Sequence, residues 1–401
     1  MSELLFDGLK VLDVGTWIAG PVAGTMLADF GADVIKVEIP GVGDQYRTLS
    51  AIPGLPEATS NYMWEMDARN KRSITLNLKA EAGVEILHKL VSECDVYITN
   101  QPFPVRDAFG LNYEDLKALN PRMIYASLTA YGEKGPERDK EGFDLVAYWG
   151  RSGLMDLVHD AEAIPSQALP GMGDHPSAVS LYAAIVTALL KREKTGEGSM
   201  VHTSLLANGI WSASCLAQAG FAAGNYETFR AVRRTRKFPT TSYETADKRY
   251  FLFSMVRSPD EIDRLLCCLG LAELLVDDRF SETENLVKNN AELSKIIQAR
   301  MLEKSAVAWQ HLFTEQGIPA VLMTHIEEVV NDPQVYENNI VKPSGDGVLA
   351  PYLISHPVNV DGCEQVSLNR APELGEHNAE ILAYLGYLPD DILKLRASKV
   401  I

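Results

Sequence analysis

Short apolar runs alternate with amphipathic stretches along the N-terminal third of the chain. Leu9 to Val14 reads as a buried strand, Gly15 to Gly20 as a turn, and Pro21 opens a helix reaching about Phe30, since proline is tolerated in a first helical turn. Ala32 to Glu38 is a second strand whose Val, Ile and Val suit a parallel sheet, and Ser73 to Leu78 is a third. Helical spacing over Ala80 to Glu93, strand Asp95 to Thr99, a short helix Tyr113 to Leu119 and strand Met123 to Leu128 continue the alternation. Repeated βα units predict an α/β fold, with a large doubly wound, Rossmann-like domain.

Further on, a long apolar helix runs from Pro176 to about Lys194, followed by strand Ser199 to Ser204 and a second long helix. The texture changes near residue 225, with a basic stretch Arg230 to Lys237 and strands around Ser242 and Tyr250 to Met255. Helices follow at Pro259 to Leu269, Asn290 to Glu303 and Ala306 to Glu315. The pattern predicts a large domain from residues 1–224, completed by 326–401 with a helix at Glu376 to Leu385, and a smaller α/β domain over 225–325.

Composition narrows the partners. The 401 residues carry 37 Lys and Arg against 54 Asp and Glu, a formal charge of −17, which repels nucleic acid and anionic membranes. An anionic ligand would therefore need a local basic cluster. The N-terminus has no basic region followed by an apolar run, and the longest apolar run, Ala178 to Leu190, is too short to span a bilayer. The cysteines (Cys94, Cys215, Cys267, Cys268, Cys363) form no CxxC pair, as expected of reduced thiols in a cytoplasmic protein. The histidines show no HxH or HExxH spacing, so no metal is expected.

Strand, glycine turn, helix and a strand ending in Glu38 outline a nicotinamide-binding unit. The glycines, however, fall at Gly15, Gly20 and Gly24, which is not the GxGxxG spacing that lets a backbone approach a pyrophosphate. The more informative segment is Pro170-Gly-Met-Gly-Asp174-His-Pro, where two glycines precede an acid at the start of a helix. Asp174 is either an N-cap that satisfies free helix amides or a carboxylate exposed among small neighbours and able to attack an acyl carbon. Position alone leaves both open.

An ordered set of short segments spans nearly the whole chain: Gly8-Leu-Lys-Val-Leu-Asp13, Ala19-Gly-Pro21, Phe30-Gly-Ala-Asp-Val-Ile-Lys-Val-Glu38, Asn70-Lys-Arg-Ser-Ile74, Leu76-Asn-Leu-Lys79 and Gly110-Leu-Asn-Tyr113. Asn120-Pro-Arg-Met-Ile-Tyr125, Tyr131-Gly-Glu-Lys-Gly-Pro136, Gly173-Asp174, Arg192-Glu-Lys-Thr-Gly-Glu-Gly198, Asn331-Asp-Pro-Gln334 and Leu374-Gly-Glu-His377 complete it. This set resembles the class III coenzyme A transferases, the family of formyl-CoA transferase and carnitine CoA-transferase, to which α-methylacyl-CoA racemase is related. The resemblance implies that Asp174 is the nucleophile, forming first a mixed anhydride and then an aspartyl-CoA thioester. It implies an acyl-CoA and a carboxylic acid as substrates, no cofactor beyond coenzyme A itself, and a homodimer of chains interlocked like rings.

By resemblance, Leu76, Asn77, Lys79 and Asn100 match CoA-contacting positions, with Ile18 and Ile39 in backbone or apolar contact. Lys36, Lys71, Arg72, Lys79 and Arg106 are candidates for the basic cluster that the phosphates of CoA need. The racemase branch carries a Gly-His-Asp element, because shuttling an α-proton takes two acid–base groups. Here it reads Gly142-Phe143-Asp144, and phenylalanine carries no proton, so Asp144 is read as a structural hydrogen-bonding acid and His175 as structural too. The glycine run that shields the aspartate in formyl-CoA transferase is missing, and Arg233 to Thr241 is the candidate replacement. Tyr131-Gly-Glu-Lys-Gly-Pro136, Gly142-Phe-Asp144 and Thr240-Thr-Ser-Tyr-Glu-Thr-Ala-Asp247 resemble the branch acting on 2-hydroxy acids such as 2-hydroxyisocaproate and phenyllactate, with Arg233, Arg234 or Arg236 as candidate partners of the acceptor carboxylate. A non-catalytic acyl-CoA-binding protein is the remaining alternative, distinguished by hydroxylamine trapping of an aspartyl thioester.

Overall fold

The computed structural model describes residues 4–159, 163–233 and 237–401. Its first compact unit combines the chain up to His159 with Pro165–Ala222 and Gln334–Ile401. Six parallel strands form its sheet: β1 (Lys10–Asp13), β2 (Asp33–Glu38), β3 (Arg72–Thr75), β4 (Val96–Thr99), β5 (Ile124–Thr129) and β6 (Ser199–Ser204), in the order β3-β2-β1-β4-β5-β6.

The register explains why these residues make a two-faced sheet. Val34, Val11, Val96 and Ile124 are successive lateral partners, and Ile35, Leu12, Tyr97 and Tyr125 form the next row. Because side chains alternate between faces, the first row packs into one core cluster and the second into another. On the first face lie α1 (Ala19–Asp29), buried along its whole length, and a later helix Asp174–Thr195. On the other lie α2 (Glu81–Glu93), through Ile86, Leu87, Leu90 and Val91, and two C-terminal helices, Asn378–Tyr384 and Pro389–Ala397. Helices therefore cover both faces of a parallel sheet, as its continuous apolar strands require.

Several elements depart from the sequence expectation. Phe103–Phe109 is a helix, α3, although Pro102 and Pro104 flank its start. Both prolines fall where no intrahelical amide is needed. Residues Asp144–Gly150 form a wide, π-type turn, and Asp174–Thr195 becomes α4, starting two residues before the expected proline. The expected second long helix is broken at Ala213 into α5 (Leu205–Ser212) and a separate segment Ser214–Phe221.

The second unit centres on Ala223–Pro333. A three-stranded antiparallel sheet (Ser242–Glu244, Tyr250–Leu252, Val321–Leu322) packs with its helices around Tyr243, Phe251, Phe253, Trp309 and Phe313. Among the described residues, no helix of the chain is long and apolar enough to cross a membrane.

Candidate active site

In an open sheet of this order, the chain leaves β1 towards one side and β4 towards the other, and ligands bind in the crevice at the strand ends between them. Two cavities open there. One, of about 460 Å³, is lined by the ends of β1, β2 and β3, by Gly43 and Asp44, and by Val105 and Phe109 of α3. The other, of about 330 Å³, is lined by Trp17, Asn100, Phe103, Thr129, Phe143 and Asp174 among others. Thr16 and Gln101 line both, so the cavities meet at the β1–α1 turn.

That turn is fixed by buried charge. Asp13 and Asp44 face Lys36 and Lys71: Lys36 Nζ lies 2.8 Å from Asp44 Oδ2, and Lys71 Nζ lies 2.9 Å from Asp13 Oδ2. The two ammonium groups also donate to turn carbonyls, Lys36 to Gly15 at 2.6 Å and Lys71 to Pro21 at 2.7 Å. Asp44 accepts the Trp17 amide at 3.0 Å, which holds Trp17 in the left-handed region at φ 64° with its ring against Phe143, centroids 5.7 Å apart. Asn100 closes the turn from β4, accepting from the Thr16 amide at 2.8 Å and donating to its carbonyl at 2.7 Å.

The residues expected to bind CoA separate into two sets. Ile39, Leu76, Asn77 and Lys79 line the larger cavity, and Asn100 lines the smaller one with its amide engaged by Thr16. Ile18, Lys71, Arg72 and Arg106 line neither. Ile18 is buried against Val22 and Tyr46. Lys71 and Lys36 are fully buried partners of Asp13 and Asp44, so although Lys36 borders the larger cavity its charge is already matched. Arg72 bridges Asp33 and Glu380 towards a separate cavity near Lys10 and Tyr384. Arg106, also buried, donates to Gln101 O at 2.6 Å and Ser127 Oγ at 2.8 Å and pairs with Glu133. Local sequence shows a cation but not the acid waiting for it across the fold.

Three cations at the cavities were missed. The chain after Pro389–Ala397 runs back along the segment following β3, where Asn77 N donates to Val400 O at 2.8 Å, and this brings Lys399 to the larger cavity opposite Lys79. Among the described residues, neither lysine has an ion pair. Their separation by more than three hundred positions left no local signal. Arg138 and Lys140 likewise line the smaller cavity, Arg138 with its guanidinium 4.0 Å from the Phe103 ring centre. Arg234 and Arg236 lie outside the described residues, as does the Arg233 side chain.

Asp174 is the first residue of α4, and the cap position is Gly173, which has no side chain to donate or accept. Among the described residues, nothing hydrogen bonds to the Asp174 carboxylate, and its own amide has no partner either. The neighbouring amides are spent: His175 N donates to Gly171 O at 3.0 Å, Ser177 N to Gly173 O at 3.3 Å, and Pro176 has none. Burial raises the carboxyl to about 7, with Asp144 and Asp67 adding repulsion and His175 opposing both. The carboxylate therefore caps no amide among the described residues and lines the smaller cavity with its ionisation pushed towards neutrality.

The glycines before it serve close packing. A Cβ on Gly173 would lie 2.6 Å from the Tyr148 ring, and Gly171, at φ +86°, would place one 2.8 Å from His175 Nδ1. Buried Asp144 accepts the Gly173 amide at 3.2 Å, so it holds the turn that presents Asp174. Phe143 stays exposed beside Trp17 in the cavity.

The profile of CoA-transferase family III matches residues 6–378. This chain belongs to that family. A family III protein from Brucella suis (CaiB/BaiF family) superposes with a TM-score of 0.82 at 29% identity, covering 94% of this chain and 98% of that one. Cinnamoyl-CoA:phenyllactate CoA-transferase of Clostridium sporogenes is 31% identical over 98% of this chain and 97% of its own. (R)-2-hydroxy-4-methylpentanoate CoA-transferase of Clostridioides difficile is 31% identical over 99% and 100%. As a family III CoA-transferase, the chain is an enzyme that moves CoA between acyl-CoA and carboxylic acids.

Proposed function

We propose that Asp174 is the nucleophile of this transferase and that its acceptor is a 2-hydroxy acid with a branched or aromatic side chain. The carboxylate attacks the donor thioester carbonyl, forming the aspartyl mixed anhydride and releasing CoA thiolate, a leaving group good enough to need no strong acid. The thiolate then attacks the aspartyl carbonyl, which frees the donor acid and leaves an Asp174–CoA thioester. The acceptor carboxylate repeats both steps in reverse. The Asp174 amide, without a partner among the described residues, is a backbone donor open to the developing oxyanion.

One observation carries the reading: a carboxylate free of hydrogen bonds among the described residues faces a cavity that meets a second, cation-ended one. The larger cavity suits the nucleotide half of CoA, with Lys79 and Lys399 towards its phosphates, and the shared Thr16–Gln101 wall suits the pantetheine arm. Trp17 and Phe143 offer an aromatic face to the acceptor side chain, with Arg138 and Lys140 nearby for its carboxylate. The likeness to phenyllactate and 2-hydroxy-4-methylpentanoate transferases supports that acceptor class. Incubation with a panel of acyl-CoAs followed by peptide mass spectrometry is expected to find a CoA adduct on the peptide containing Asp174. An unmodified Asp174 during turnover, or normal exchange by Asp174→Ala, would remove the proposal.

A further inference from the structure

His175 follows the candidate nucleophile, yet its ring is aimed away from the cavity that Asp174 faces. Nδ1 lies 2.9 Å from Gly171 O and Nε2 lies 3.1 Å from Asp67 Oδ1. A carbonyl oxygen only accepts, so Nδ1 must carry a hydrogen. Asp67 is buried, and its other oxygen already takes the Tyr46 hydroxyl at 2.5 Å, while its backbone carbonyl takes the Thr25 hydroxyl. With Oδ2 accepting from Tyr46, Oδ1 is the acceptor that faces Nε2, so Nε2 carries a hydrogen as well. Both ring nitrogens then donate, and the ring is a cation.

We infer that His175 is a positioning residue held as an imidazolium by Asp67 and Tyr46, whose positive charge favours the ionised form of Asp174 and whose bond to Gly171 sets the turn that presents it. This rests on the reading of Asp174 as nucleophile. Several observations outside the ring agree. Gly171 has no Cβ at the one place where a Cβ would strike His175 Nδ1. Burial disfavours a charged ring, yet the Asp67 bond and charge outweigh it and raise His175 to about 9. The charged groups acting on it are Asp67 from Tyr62–Ala68 and Asp174 of α4; the Tyr46 phenol, from Gln45–Ala51, is kept protonated by burial and Asp67, while Asp144 acts on Asp174 and Lys71, tied to Asp13, on Asp67. Across the cavity behind the ring, Arg69 is tied to Asp29 at 2.7 Å, and burial lowers His356 to about 4, which leaves it neutral. His175 is thus the positive group that offsets burial and two acids at Asp174. With both N–H groups engaged, it takes no proton from substrate and acts only through charge and position.

Losing the cation raises the Asp174 carboxyl above about 7, so the acid limb of the transfer rate moves to higher pH. His175→Gln keeps a side chain able to hydrogen bond but removes the charge. It is expected to shift the acid limb of kcat/KM upward by about one pH unit. The loss would be about tenfold at pH 6 and no more than about threefold at pH 9. A purely structural histidine would lower the rate equally at all pH values, and an unmoved limb overturns the inference. Nitrogen-15 spectra of uniformly labelled wild-type enzyme, with the His175 signals assigned by their loss in His175→Gln, are expected to show both nitrogens protonated at pH 7.5. A neutral ring there also overturns it. If no CoA adduct forms on Asp174 in the wild type, the nucleophile reading has failed instead. If the adduct forms and the limb stays put, only the role of His175 falls.

Discussion

At the residue scale, the site's central feature is a carboxylate kept uncomfortable. A helix N-terminus ordinarily favours an anion, but the positive end of α4 is weakened here because two first-turn amides are used and Pro176 supplies none. Desolvation and the two neighbouring acids then win, and the folded-state value rises from 3.8 to about 7. The sign for stability is unfavourable. In the unfolded chain the group ionises near 3.8, so the penalty for burying its charge grows as pH rises from there to about 7 and persists above it. Asp174→Asn is therefore expected to stabilise the fold by about 1–3 kcal/mol at pH 8, a range discounted for the partial exposure of the group. The gain should vanish at pH 4, and the variant should transfer no CoA. Urea unfolding at the two pH values measures this; equal midpoints for both proteins at pH 8 would contradict it.

At the element scale, the β1–α1 turn shows what a chain read locally can and cannot disclose. The strands were legible as short apolar runs between turn signals, and the alternation of side chains along a strand puts Val11 and Leu12 on opposite faces. The start of α4 was legible from glycine followed by Asp and Pro, and so was the acid at its head. Helix α3 was not, because Pro-Phe-Pro reads as loop until its place at a first turn is known. Nor were the fates of Lys71 and Arg106, since their acidic partners, Asp13 and Glu133, lie 58 and 27 positions away. Lys71→Met decides between the two roles open to that residue. As Asp13's closest partner, its loss leaves a buried carboxylate poorly compensated, and the fold should weaken by about 3–5 kcal/mol. The KM for acyl-CoA should be unchanged in the molecules that remain folded. A raised KM at undiminished stability would place Lys71 on CoA after all.

At the scale of the whole molecule, the question is how a chain of formal charge −17 attracts an anionic thioester. Long-range repulsion and short-range attraction respond differently to salt. Charges separated by more than about 8 Å are largely screened at physiological ionic strength, whereas contacts within a cavity are screened less. On the proposal that the larger cavity takes the nucleotide half of CoA, the attraction falls to Lys79 and Lys399, which line it without ion pairs among the described residues. Replacing both by alanine removes binding that ground state and transition state share, so KM for acyl-CoA is expected to rise about tenfold while kcat stays within about twofold. Salt separates local charge from mere packing. In the wild type, raising salt from low to physiological levels should weaken binding, because paired charge at the phosphates dominates. In the double variant only the protein's negative field remains, so the same change should improve binding. Initial rates across an ionic-strength series measure both slopes. Slopes of the same sign in both proteins would mean that the phosphates are held elsewhere, and that the larger cavity is not where the nucleotide of CoA sits.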